Sequence, residues 1–155
     1  MSKSLAIALN AEQIHRLDLS AATMAIESQL DATPPPELRF AITYPREASD
    51  PRELSEIPEV RLWFVRLDAR YPWLPFWLDW SSGELARYTA MLVPHQFNRS
   101  EGIQYNPESL EIFVMHKVFA IADWLQTKNQ SGQAKLKGFA KMLGYELADE
   151  FFTLL

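Results

Sequence analysis

The chain has 155 residues, 48% of them hydrophobic, no cysteine and a formal net charge of −5. That length fits one domain able to bury a core without staples, and the missing thiols exclude disulfides, thiolate metal sites and cysteine-held iron–sulfur clusters. The acidic balance disfavours nonspecific nucleic-acid binding, which works by neutralising phosphates, and equally disfavours an anionic membrane surface.

The opening segment MSKSLAIALNAEQ carries an apolar run too short for a secretory signal, and the acidic residues that begin at Glu12 disfavour a transit peptide. No apolar run approaches the length of a membrane span, so no direct membrane insertion is expected. The expectation is a soluble, cytoplasmic protein.

Residues 4–9 predict a short strand. Asn10 and Gln13 stand as N-cap and N3 of a capping box, opening a short helix to about Leu17. Ser20 caps a second helix to Leu30, with Met24 and Ile26 among its apolar residues. Pro34, Pro35 and Pro36 form a stiff connector. Leu38, Phe40, Ile42 and Tyr44 then alternate with Arg39, Ala41 and Thr43, the period of a strand with one buried face, which Pro45 ends.

Asp50, Pro51 and Glu53 fit N-cap, N1 and N3 of a one-turn helix. Pro58 opens another, predicted over Pro58–Arg70 because Val60, Trp63, Phe64, Leu67 and Tyr71 recur at helical spacing; residues 61–65 also fit a buried strand. Pro72 and Pro75 break it, leaving residues 76–79 as a third strand or extended segment. Ser81 and Glu84 form a second capping box for a helix to Leu92, and residues 93–105 read as loop. Asn106 and Pro107 open the longest helix, to about Gln126. It is apolar on nearly every side between Ile112 and Leu125, as expected at the centre of a core. A helix over residues 132–143 stops at Gly144, and a terminal turn runs through Phe152. The class is α+β: one helix-rich domain over residues 1–155, with a small sheet of two or three short strands packed against a central buried helix.

No catalytic, cofactor or metal set emerges. His15, His95 and His116 lack metal spacing, and there is no nucleophile elbow or glycine-rich phosphate loop. His116, inside the apolar helix, reads as a buried, hydrogen-bonded histidine. His95 lies in a loop near Arg99 and Glu101, so a small enzyme with a site around His95, Arg99, Glu101 and Tyr105 is the alternative reading. Asp68 and Asp79 flank the two prolines as a glycosidase pair would, but pairing of Asp68 with Arg66 or Arg70, and a capping role for Asp79, account for them as well.

Two asymmetries point to recognition instead. Seven of the nineteen aromatic residues lie in WFVRLDARYPWLPFWLDW, residues 63–80, with four of the five tryptophans. Every basic residue from Arg39 to Arg99 is an arginine, eight in all, while five of six lysines lie from Lys117 onward. Arginine's planar fork suits bidentate pairing and stacking, and tryptophan supplies apolar area at low entropic cost. Burial is the default for Trp63 and Trp124, whereas one or two of Trp73, Trp77 and Trp80 are expected at the surface as anchors. Residues 46–61, with three arginines and five acids, read either as a loop cross-linked by its own ion pairs or as a docking face. The partner-binding candidates are Arg46, Arg52, Trp73, Trp77, Trp80, His95 and Arg99.

The runs DPRELSEIPEVRLWFVRLDARYPWLPFWLDW, GELARYTAMLVPHQFNRSEGIQYNP and ESLEIFVMHKVF, with a weaker echo in KMLGYELADEFF, resemble the chlororespiratory reduction 6 family of cyanobacteria and chloroplasts. The resemblance covers about residues 44–125, and the lack of a transit segment makes the chain look like a cyanobacterial member. It implies a maturation factor, not a catalyst, and no cofactor. The implied partner is the I subunit of the photosynthetic NADH-dehydrogenase-like complex, a ferredoxin-like iron–sulfur protein, held transiently before it joins the complex. No active-site residues carry over.

Overall fold

The computed structural model describes residues 4–29, 36–100, 102–128 and 132–153, with backbone alone for 95–98 and 102–105. Pro34, Pro35 and Glu101 lie outside the described residues, as does the predicted helix end at Leu30. The class is α+β with a small sheet, as the sequence predicts. Two compact units divide the chain: residues 1–71 with 77–92, and residues 72–76 with 93–155.

The first unit is built on β1 (Ser4–Asn10) and β2 (Glu37–Thr43), which run parallel with Ser4 beside Glu37 and Asn10 beside Thr43. A parallel pair needs a crossover; α1 (Ala11–His15) and α2 (Ser20–Gln29) lie on that path. The capping box opening α1 is present: Gln13 N–H donates to Asn10 Oδ1 at 2.9 Å and Asn10 N–H to Gln13 Oε1 at 2.8 Å. At α2 the carboxylate of Asp18 accepts from the Ser20 N–H at 2.8 Å, so Asp18 supplies the bond expected of Ser20. Ile26 is buried, but Met24 is exposed.

α3 (Pro58–Arg70) begins at its proline and buries Val60, Trp63, Phe64 and Leu67, which settles residues 61–65 as helix. Its rings meet edge to face: Phe64 lies 5.2 Å from Phe40, 5.1 Å from Trp63 and 6.2 Å from Tyr88. Such pairs contribute about 0.5–1.5 kcal/mol each beyond burial. α4 (Glu84–Leu92) supplies Leu85, Tyr88 and Met91 to the same core.

Three local expectations in this unit are corrected. The turn predicted to start at Asp50 is a 3-10 turn over Leu54–Glu56, three residues later: Arg52 occupies the Asp50 carboxylate, and Glu53, with extended backbone, is the N-cap. Ser81 is not an N-cap: it lies inside a 3-10 turn over Trp80–Ser82, and Gly83 at φ 83° breaks the chain direction before α4. Residues 76–79 form no strand; Leu74–Trp77 is a 3-10 turn, and Leu78 makes a single parallel bridge with Leu38.

The second unit centres on α5 (Pro107–Thr127). Asn106 caps it by accepting from the N–H groups of Glu108 and Ser109 at 3.0 and 3.2 Å. Residues 93–105, expected as loop, instead hold an antiparallel hairpin, β3 (His95–Asn98) with β4 (Gly102–Tyr105). The Asn106 N–H donates to the Pro94 carbonyl at 3.0 Å and closes its base. Pro72 to Phe76 packs with this unit. α5 is less central than its composition suggests, since Ile112 and Phe119 are 71% and 51% exposed. α6 (Gln133–Met142) ends as predicted at Gly144, φ 93°, where Tyr145 N–H bonds Ala140 C=O at 2.9 Å. α7 (Asp149–Thr153) follows.

Candidate functional site

The extended segment after β2 is shaped by two arginines. Arg52 grips Asp50 with its fork, Nε to Oδ1 at 3.1 Å and Nη2 to Oδ2 at 2.9 Å, while its own N–H donates to Oδ1 at 3.0 Å. These bonds hold the Asp50 carboxyl at about 2, below the usual carboxylate range. Arg46 donates to the Arg52 carbonyl through Nη1. Arg46 and Arg52 are therefore brought together, and part of residues 46–61 is cross-linked within itself, while both guanidinium groups keep an exposed side.

The tryptophans separate by depth. Trp63 and Trp124 are buried, as expected, and the Trp63 indole donates to the Asp18 carbonyl at 2.8 Å. Trp77 is 1% exposed, which removes it from the surface candidates: its 3-10 turn points it inward beside Leu78. Trp73 and Trp80 are half-buried. In the second unit Trp73 stacks on Trp124 with centroids 4.7 Å apart at 22°, and Phe76 lies 6.0 Å from Trp124 with Lys135 Nζ 4.5 Å above its ring.

The hairpin places His95 opposite Tyr105 at its base and Arg99, exposed, in the turn at the other end. Four residue steps separate the two levels, about 13 Å at strand rise. The backbone thus sets His95 and Arg99 at opposite ends of the hairpin, and Glu101 lies outside the described residues. His116 is exposed, not buried; its neighbour Lys117 takes the interior position, 1% exposed, and donates Nζ to the Pro72 carbonyl at 3.1 Å. Neighbouring helical residues point about 100° apart, so a one-residue error in facing exchanges the two.

Asp68 accepts from the buried Tyr88 hydroxyl, whose pKa burial and then the Asp68 charge push well above the usual tyrosine value. Asp79 accepts from Ser81 Oγ at 2.6 Å, a bond that lowers its pKa. Each carboxylate is engaged in its own local bonds. Among the described residues no group of three or more His, Asp and Glu side chains is placed to hold a metal ion, and no helix is long and apolar enough to cross a membrane.

One cluster was not foreseen. Arg39, Phe40, Ala41, Ser82, Glu84 and Arg87 line an open cleft of about 270 Å³. Glu84, 4% exposed, lies 3.4 Å from Arg87 Nη1, and the same Nη1 donates to the Phe40 carbonyl at 3.2 Å. Burial raises the Glu84 pKa against the opposing charge of Arg87 and the Phe40 N–H. In the sequence only the separate pieces are visible, Arg39 on the solvent phase of a strand and Glu84 and Arg87 three apart.

The profile of the chlororespiratory reduction 6 family matches residues 9–154. The chain belongs to the chlororespiratory reduction 6 family. The match extends the likeness over nearly the whole chain, including residues 9–43, which precede the motifs that carry the resemblance. Membership supports a role connected with the NADH-dehydrogenase-like complex. No solved structure matches the chain.

Proposed function

We propose that this member of the chlororespiratory reduction 6 family is an assembly factor, not an enzyme, that transiently binds the ferredoxin-like iron–sulfur I subunit of the photosynthetic NADH-dehydrogenase-like complex before its incorporation. The observation that carries the reading is the family match across residues 9–154. Surface chemistry is compatible with it. In the first unit Trp80 is half-buried and Arg46 and Arg52 are exposed, and in the second Trp73 is half-buried and Arg99 exposed, side chains of the kinds that protein interfaces use as apolar anchor and charged rim.

Affinity-tagged protein recovered from cells that make the complex, with its companions identified by mass spectrometry, tests the proposal. The I subunit should co-purify, and the tagged protein should be missing from the finished complex. Stoichiometric presence in the finished complex would make it a constitutive subunit instead. Failure to retain the I subunit, with other proteins captured in its place, would overturn the choice of partner.

A further inference from the structure

We propose that the cleft between β2 and the start of α4 is a carboxylate-binding site, gripped by Arg87 and Arg39. Arg87 is fixed before any ligand arrives. Its bond to the Phe40 carbonyl at 3.2 Å and its 3.4 Å approach to Glu84 both use Nη1. The Nε and Nη2 edge is left unused by these contacts, and that edge matches the two oxygens of a carboxylate. With 32% of its side chain exposed, Arg87 reaches the opening.

Arg39 faces the cleft from the sheet. Across the ladder it pairs with Ala6, and two residues on stands Ala41 beside Ala8, so a ligand can approach the backbone closely there. Glu37 precedes it on the same face, yet among the described residues no ion pair involves Arg39. The charge balance selects the ligand. Among the lining side chains two guanidinium groups stand against one carboxylate, an excess of one positive charge in the lining itself. A single carboxylate neutralises it, whereas a phosphate dianion would overcharge a site that already holds the buried Glu84. A volume of about 270 Å³ suits a side chain or a small acid and is below the range of cofactor pockets.

This inference goes beyond the assembly reading and uses no partner subunit in its test. The arginine Nε–H signals of the full chain are followed by NMR during titration with glutarate and, separately, with an acetylated tetraglutamate peptide. Sodium chloride and inorganic phosphate at matched ionic strength serve as comparisons. Both Arg87 and Arg39 should shift saturably with a carboxylate, and Arg39→Gln should weaken binding about tenfold or more while leaving Tm unchanged, because Arg39 is exposed. Arg87→Lys, which keeps the charge without the fork, should weaken it too. Tighter binding of the peptide identifies an acidic protein segment as the natural source, and tighter binding of glutarate a free acid. No saturable response to either carboxylate, phosphate binding as tightly, or an Arg39→Gln variant that binds like wild type would overturn the proposal.

Discussion

The indole N–H of Trp63, in the middle of α3, donates to the main-chain carbonyl of Asp18 at 2.8 Å. This bond pins the loop between α1 and α2, where Leu17 holds φ 53° without being glycine. Leu17 and Asp18 close the end of α1 by donating to the carbonyls of Ile14 and Gln13 at 3.1 and 2.9 Å. Trp63→Phe keeps most of the buried ring area but leaves that carbonyl without the indole. It should destabilise by about 1–3 kcal/mol, read from urea denaturation followed by circular dichroism.

Lys117 offers a second probe of the interior. Lys117→Ala loses both its buried stem and the bond to Pro72, and should cost about 2–4 kcal/mol. Lys117→Met keeps the stem volume and should cost less. Equal losses for both, or none, would show that the ammonium bond and stem packing are not what hold this position.

The Asp50 carboxyl should titrate near 2 in the folded protein, and in Arg52→Ala its midpoint should move up toward the ordinary carboxylate range. The sign follows from linkage. A depressed folded-state value stabilises the fold above the unfolded-state pKa, and that contribution disappears as pH falls from the ordinary aspartate value through about 2. Side-chain carbon NMR of Asp50 between pH 1 and pH 5, a span of roughly four units about the ordinary value, is the check.

Glu84 works in the opposite sense. Its folded-state pKa is raised, chiefly by burial, so its contribution is complete below the ordinary glutamate value and is lost as pH rises through the raised one. Glu84→Gln should flatten that part of the stability profile. Denaturation midpoints of wild type and variant, compared across mildly acidic pH, should diverge in slope there; parallel curves would contradict the assignment.

For the assembly reading, Trp80→Ala or Trp73→Ala should weaken capture of the I subunit about thirtyfold or more if that ring is an anchor. Arg46→Ala should chiefly slow association and reduce its salt dependence. Folding of each variant is verified first by circular dichroism, and variants that fold and bind like wild type would move the interface elsewhere.

Legibility in the sequence followed the strength of local signals. α3 was readable to the residue because Pro58 fixes its first turn and four buried side chains repeat at helical spacing. Asn106 with Pro107, and Gly144, marked their helix ends for equally local reasons. The β3–β4 hairpin was not readable, since two four-residue strands offer too few alternations to stand out from loop. Lys117 was missed because a helix apolar on several sides does not announce which side turns inward. The Arg39, Glu84 and Arg87 cleft depends on a strand and a helix start more than forty positions apart, a proximity that no window of sequence contains. Trp77 shows the reverse limit: an irregular, proline-flanked stretch still buried the ring completely.

The parallel pairing of β1 with β2 carries a kinetic consequence. Each residue of one strand meets a partner 33 positions away, so the ladder cannot zip from a tight turn as a hairpin does within microseconds. The intervening chain must first be gathered, at a loop-closure cost that later pairing repays. During synthesis β1 is polymerised before β2 exists to receive it. For that interval the apolar side of β1, carrying Ile7 and Leu9, is without its ladder.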